Sequence, residues 1–449
     1  MSTIRLESEI VAQISFNSAL AEYHRELMKR FNIFAIDSSY GGKQSGISHL
    51  GNRIMYYADV NTNLSDVFLS NTLYRDFLAM YPGGVDVTGV RYLSDGEGDV
   101  FRRRCAEAMK SDMGLDILES VIEWADTVTS EGYENCDLMS VIDEKEDYIE
   151  NNRRKIFEED EVPPDYSSPV SSVKRFGRSG ILSIAVPDAD NLSGRTLRED
   201  TILSSRRATG KINAGNMDLE DEAVWEDVTE KLFFVEYLMR YVGYYGQTSD
   251  DDALLYGVEQ TICGKNSDID NLRGVADRLF ILRCGADYAY LMTDSTKTAE
   301  AEALGTAIAL LLLTPSLADP LKELILAGWA LMEAVYDVKT LFAGGRIPLI
   351  KSKSTWHYGM GAALGGKEDK GNSSGSGLCY GDYLRIFMFL TGTKKLTSRA
   401  MDLVEADIRL TAGNANFRLD ACIDAFEASL CVVSAYGYSY EIKRRACYE

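Results

Sequence analysis

Histidine is scarce in this chain: there are three in 449 residues, His24, His49 and His357. They lie far apart, with no ligand partner at metal spacing, so the sequence offers no zinc site built on histidine. None of the eight cysteines (105, 136, 263, 284, 379, 422, 431 and 447) sits in a CxxC pair. An even count permits disulfides but does not imply them in a chain this long. Cys105 and Cys284 fall in helix-like runs and read as small core residues. Cys422, Cys431 and Cys447 cluster near the end, where a bridge would fit. Long apolar runs are missing too. The longest nearly clean stretch, Ala303–Leu313, is well short of the roughly 20 residues that span a bilayer. Basic residues are outnumbered, 47 against 69 acids, for a net charge of −22. That balance argues against nucleic acid or an anionic lipid surface as the main partner, because both need clustered Lys and Arg. No GxSxG, HExxH or P-loop occurs.

What is present is ordinary globular material: 45% apolar and 26% charged residues, which excludes a disordered or collagen-like chain. Residues 4–31 read as one amphipathic helix, with Ile10, Ile14, Leu20, Leu27 and Phe31 at helical spacing. Residues 32–37 (NIFAID) suggest a short buried strand. Residues 65–80 read as a helix stopped by Pro82-Gly83-Gly84, and 85–93 as a strand with a bulge at Gly89. A helix over about 99–113 follows, then another over 115–159 interrupted near Gly132. The stretch 160–216 holds four of the eight prolines and reads as a surface excursion with one strand, Ile181–Val186. Helices are expected over 223–245, 269–292 (N-capped by Ser267 or Asp268), 298–313, 317–342, 380–390 and 398–411. Residues 253–263 alternate like a strand. The aromatic, β-branched end, 417–449, with its Tyr436-Gly437-Tyr438 turn, reads as a terminal hairpin. The expected fold is therefore α+β: helix-rich, with a long N-terminal amphipathic helix, a mixed or antiparallel sheet and a C-terminal hairpin. The expected organisation is a stalk helix over 1–31 and a large globular domain over 32–449.

Several patterns could carry chemistry, and each has a simpler explanation. Gly359, Gly361, Gly365 and Gly366 loosely resemble a dinucleotide loop but lack the βαβ context the fingerprint needs. Asp188, Asp190, Asn191 and Glu199 faintly suggest a calcium loop, but Leu192 and Ser193 occupy a ligand and a turn-glycine position. Asp95, Glu97 and Asp99 could hold a hard cation weakly; capping of the next helix explains them as well. Asp250, Asp251 and Asp252 read as a solvated turn. Ser352, Lys353 and Ser354 do not have the spacing of a Ser–Lys nucleophile. Arg399, Asp402, Glu405, Asp407 and Arg409 fit a helix with one packed and one ion-laced face. No catalytic, cofactor-binding or metal residue is assigned.

Four segments together resemble one bacterial family: 19–37 (ALAEYHRELMKRFNIFAID), 264–283 (GKNSDIDNLRGVADRLFILR), 380–390 (YGDYLRIFMFL) and 399–409 (RAMDLVEADIR). It is a family of surface proteins in Gram-positive anaerobes whose genes accompany tight-adherence (Tad-like) pilus machinery. Its members are similar to TadE/TadG-type pseudopilins, in which a long apolar N-terminal helix anchors a large extracellular domain. The resemblance implies a non-enzymatic structural or adhesive role, other pilus or surface proteins as partners, no cofactor, and an extracellular, membrane-anchored location. It also implies an apolar membrane helix ahead of Ile4-Arg5-Leu6-Glu7, where this chain has only Met-Ser-Thr. The alternatives are a cell-envelope enzyme, such as a carboxylate-dependent glycoside hydrolase, and a surface module that binds a ligand or ion through its Gly-rich loops. The first would require two facing acids about 5 to 9.5 Å apart in a cleft.

Overall fold

The sheet is organised around a strand close to the end of the chain. A computed structural model describes residues 2–62, 78–110, 115–156, 166–171, 180–186, 192–198, 202–217, 227–363 and 377–448. Its helices are α1 (Ser2–Leu20), α2 (Arg25–Phe31), α3 (Ile47–Thr62), α4 (Asp95–Lys110), α5 (Leu115–Ser130), α6 (Leu138–Ile156), α7 (Ile181–Ala185) and α8 (Leu203–Ala208). They continue with α9 (Asp227–Tyr241), α10 (Gly257–Cys263), α11 (Asp268–Thr293), α12 (Ser295–Leu311), α13 (Ala318–Phe342), α14 (Met360–Ala363), α15 (Tyr380–Leu390) and α16 (Thr393–Leu410). The strands are β1 (Ile36–Asp37), β2 (Met80–Tyr92), β3 (Cys422–Ser434) and β4 (Ser439–Cys447). β3 pairs with β2 along one side and with β4 and β1 along the other, always antiparallel. The α+β class and the terminal hairpin thus stand as the sequence predicts, and every pairing of the sheet is antiparallel.

One face of the sheet is closed by α1 and α3. Val11, Ala12, Phe16 and Ala19 of α1 and Leu50, Ile54 and Ala58 of α3 form a core with Val90, Phe426, Leu430 and Val432. A larger core lies among the helices, with α13 at its centre. Leu324 to Leu331 are buried without interruption, which is what a helix enclosed on all sides requires. None of the described helices is long and apolar enough to cross a membrane.

Several expectations change. The helix over 4–31 is two helices. His24 caps the second, its Nδ1 accepting from Leu27 N at 3.2 Å, while its own N–H donates to Ala35 O at 2.8 Å. Two adjacent turns of one helix cannot satisfy both bonds, so the chain bends. Pro82 does not stop a helix but lies inside β2. β2 is an edge strand, and an edge tolerates the missing N–H. The expected bulge at Gly89 is a register shift between Val87 and Gly89. Ile181–Val186 is a short helix, α7, rather than a strand. Residues 253–263 also form no strand; α10 occupies 257–263 and is buried all round, which erases the periodicity a helix usually shows. The helix read over 65–80 falls on residues outside those described, apart from its end. The interruption near Gly132 is there, between α5 and α6, and Ser267 caps α11 by accepting from Asp270 N at 3.2 Å.

All eight cysteines are free. The bridge that would fit near the end does not form because the register separates its members. Cys431 faces Glu441 and Cys447 faces Ala425, near opposite ends of the β3–β4 ladder.

Candidate functional site

Apolar helices that carry charges four residues apart bring those charges together. α11 supplies Arg283 and Asp287, α13 supplies Glu333 and Asp337, and the chain after α13 supplies Lys351; all five side chains are fully buried. Arg283 donates through Nη2 to Asp287 at 2.7 Å and through Nε to Asp337 at 2.9 Å. Its Nη1 donates to the carbonyls of Pro348 and Leu349 at 3.1 and 2.9 Å. Lys351 binds Asp337 at 2.6 Å and also Glu333. Glu333 accepts in addition from the backbone N–H of His357 and Tyr358, both at 2.8 Å. Three carboxylates thus face two cations.

The surplus negative charge falls on Asp287, whose Oδ2 is buried without a hydrogen-bond partner. Burial drives its pKa well above the ordinary carboxylate range, against the pull of Arg283. A proton on Asp287 brings the enclosed charge to zero. Burial works against the Lys351 ammonium, but the carboxylates of Asp287, Asp337 and Glu333 outweigh it and raise its pKa. The network ties α11, α13 and residues 346–358 into one unit. Its members are enclosed, so its chemistry is that of a clamp.

Beside the clamp lies an aromatic group. Trp329 and Trp356 meet edge to face at 6.0 Å, and both indole N–H groups donate to Tyr358 O. The Lys297 ammonium lies 4.3 Å from the Trp329 ring and 5.0 Å from the Trp356 ring, and burial lowers its pKa. An open cleft of about 520 Å³ borders this region, walled by Tyr133, Tyr290, Asp294, Ile350 and Lys353.

Two other clefts have similar size. One, about 550 Å³, lies between α2, the end of α9 and residues 247–252. There Arg30 pairs with Asp252 at 2.6 Å, and behind it the buried Asp407 accepts from Ala253 N at 2.6 Å. Burial raises Asp407 to about 7. The other, about 500 Å³, lies between α8, α10 and α16. On its wall Asp402 is lifted by burial to about 6 and accepts from Ser204 N at 2.8 Å. On α10, Glu259 is fully buried and raised by burial to about 7, with Oε1 taken by Tyr245 N and Tyr380 Oη, both at 2.9 Å.

The patterns singled out in the sequence scatter. Asp95 accepts from Tyr92 N and Gly215 N at 2.7 and 3.0 Å, Asp99 pairs with Arg102 at 2.7 Å, and Glu97 pairs with Lys394 at 2.5 Å. Three acids with three different duties do not make a cation site. Among the described residues no three His, Cys, Asp or Glu side chains are grouped to hold a metal. Asp188, Asp190, Asn191 and Glu199, and Gly365 and Gly366, lie outside the described residues; Gly361 belongs to α14. Ser352 and Ser354 hydrogen-bond to each other in an exposed turn at 2.9 Å. The ion-laced face of α16 is itself buried: Asp402, Glu405 and Asp407 are all closed off. Glu405 and Asp420 enclose Arg206 at 2.6 and 2.5 Å.

Residues 159–434 match the pattern of a family of unknown function, DUF5702. The chain belongs to this family. No curated protein and no solved structure matches it. The DUF5702 segment contains the whole clamp, both tryptophans and β3, while the partner strands β1, β2 and β4 lie outside it.

Proposed function

We propose that this chain is a non-enzymatic structural or adhesive component of the cell surface. In this reading it is pseudopilin-like, works through contacts with other pilus or surface proteins, and is held to the membrane by an apolar helix ahead of Ile4. The observation that supports the reading is the outward side of α1. Leu6, Ile10 and Ile14, one turn apart, are 59, 41 and 43% exposed. The opposite side of the same helix, with Val11, Ala12 and Phe16, is buried on the sheet. On α3, which packs against α1, Tyr56 and Val60 are also exposed. A helix that is apolar on two opposite sides is suited to being covered twice, once by its own sheet and once by a neighbour. Being about half exposed, each of these side chains forgoes about 1 kcal/mol of burial in water, so a covering subunit gains several times that.

The test is made in the organism. Surface biotinylation of intact cells labels the protein, and deletion of its gene removes surface fibres or attachment. Replacing Leu6, Ile10 and Ile14 together by Gln, a good helix former, lowers the unfolding midpoint of the purified chain only modestly but fails to restore fibres. Unaltered fibres and attachment in the deletion strain would sink the reading.

A further inference from the structure

Arg399 differs from the other enclosed arginines. Arg91, Arg104, Arg206, Arg283 and Arg385 each hold a carboxylate at 2.5 to 2.7 Å. Arg399, on α16, is half-buried and holds none among the described residues. Its Nη1 donates to the carbonyls of Thr261 and Ile262 at 2.9 and 2.7 Å, closing the C-terminal end of α10. Gly264, at φ +71°, lies against its guanidinium. A Cβ there would stand at nearly equal distances from Nε, Cζ and Nη2, so the glycine covers one face of the group on its Nε–Nη2 side and leaves the approach in the plane. Two carbonyls at one end and a glycine on one face fix the plane. The Nε–Nη2 edge is left over. It makes no hydrogen bond to the described residues and is not closed off from solvent, and Arg399 lines the cleft between α8, α10 and α16.

That edge is the fork that grips an oxyanion with two parallel N–H bonds, and here it is oriented before any ligand arrives. Lys395, one turn earlier on α16, adds a second exposed cation to the same cleft. Asp402 is the acid among the described residues of the wall, where it stands with the two cations. The cleft also carries groups that a bare anion would not use. Gln260 is buried as a residue; its Oε1 is closed off, while its Nε2 is not enclosed and donates to none of the described residues, which leaves a donor for a ligand hydroxyl. Asp402 accepts from Ser204 and, as a carboxylate with about four acceptor sites, can accept more. A ligand that carries hydroxyls as well as an oxyanion supplies what these groups lack. The volume of about 500 Å³ is ample for a monosaccharide.

We propose that the cleft between α8, α10 and α16 binds an acidic sugar, with its carboxylate on the Nε–Nη2 edge of Arg399 and its hydroxyls against Asp402 and Gln260. The proposal does not depend on where the protein is displayed or on its partners in a fibre.

Titration calorimetry of the full chain with glucuronate, inorganic phosphate and glucose tests it. Glucuronate is expected to bind, and glucose, which has the hydroxyls without the charge, is not. Arg399→Lys keeps the charge but removes the fork, and is expected to weaken glucuronate at least tenfold. Lys395→Gln, an exposed change with no effect on the fold, is expected to weaken it three- to tenfold. Phosphate binding as tightly as glucuronate would overturn the sugar assignment. Absence of glucuronate binding at millimolar concentration, or affinity unchanged in both variants, would overturn the site.

Discussion

Lys351 and Asp287 belong to one network but should respond to mutation in opposite ways. Lys351→Met leaves Glu333 and Asp337 facing each other with half their compensation gone, and should cost about 3 to 5 kcal/mol. Asp287→Asn mimics a protonated acid and keeps an acceptor for Arg283, so it should cost about 1 kcal/mol or less. Urea unfolding of the two variants beside the parent separates them; equal losses would contradict the proton assigned to Asp287. The raised carboxylates also set a pH dependence. Glu259 rises from 4.5 to about 7, Asp407 from 3.8 to about 7 and Asp402 from 3.8 to about 6. In each case the folded form holds its proton more tightly than the unfolded chain does. Their contribution is therefore complete below about pH 4 and disappears as pH climbs through 6 to 7. Asp420 and Asp294 are lowered by their partners and act the other way, losing stability only as pH falls through their depressed values. Between pH 5 and 8 the raised group dominates, and the urea midpoint should fall across that range. Glu259→Gln keeps the acceptor for Tyr380 and should flatten the fall by up to about 3 kcal/mol, at about 1.4 kcal/mol per unit of pKa. A midpoint that rises toward pH 8 would be the contrary result.

At the scale of elements, Gly285 shows which of two effects wins. It lies inside α11, where alanine is the better helix former by about 1 kcal/mol. Yet a Cβ there would stand 2.6 Å from Tyr133 O and 2.9 Å from Tyr133 Cα, which are backbone atoms that cannot swing aside. The collision should prevail, and Gly285→Ala should lower stability by about 1 to 3 kcal/mol, read from thermal unfolding. α11 was legible from its start, where Ser267 caps the helix and Asp268 and Asp270 lie in the first turn. α15 was legible from its apolar periodicity, and Cys379 with Asp382 closes its first turn. α10 and α7 were not: α10 is short and enclosed on all sides, α7 is short and mostly buried, and an enclosed segment has no wet side to set a period. Four of the clamp's five members could have been read as well. Arg283 with Asp287, and Glu333 with Asp337, are charges four apart within apolar helices, which calls for a partner inside the core. Lys351 could not, because it arrives from a loop and only the folded chain shows what it meets. Arg399 looked like one more charge on an ion-laced helix; its distinction is the absence of an acid beside it, which spacing along α16 does not reveal.

For the whole molecule, the eight free cysteines give a direct measurement. Denatured without reductant and treated with iodoacetamide, the purified chain should take up eight carbamidomethyl groups, counted by intact mass. Six or fewer would mean that a bridge forms in solution. The fold otherwise depends on non-covalent closure, and the sheet shows how late that closure comes. β3 lies between strands that begin at residues 36 and 80, yet it is itself made of residues 422–434. During synthesis, some four-fifths of the polypeptide must emerge while α1 and α3 wait without the surface they cover. Release from the ribosome, or from whatever pore the chain is threaded through, is thus a checkpoint: a product terminated before residue 422 lacks its keystone and presents bare edges to every other nascent chain.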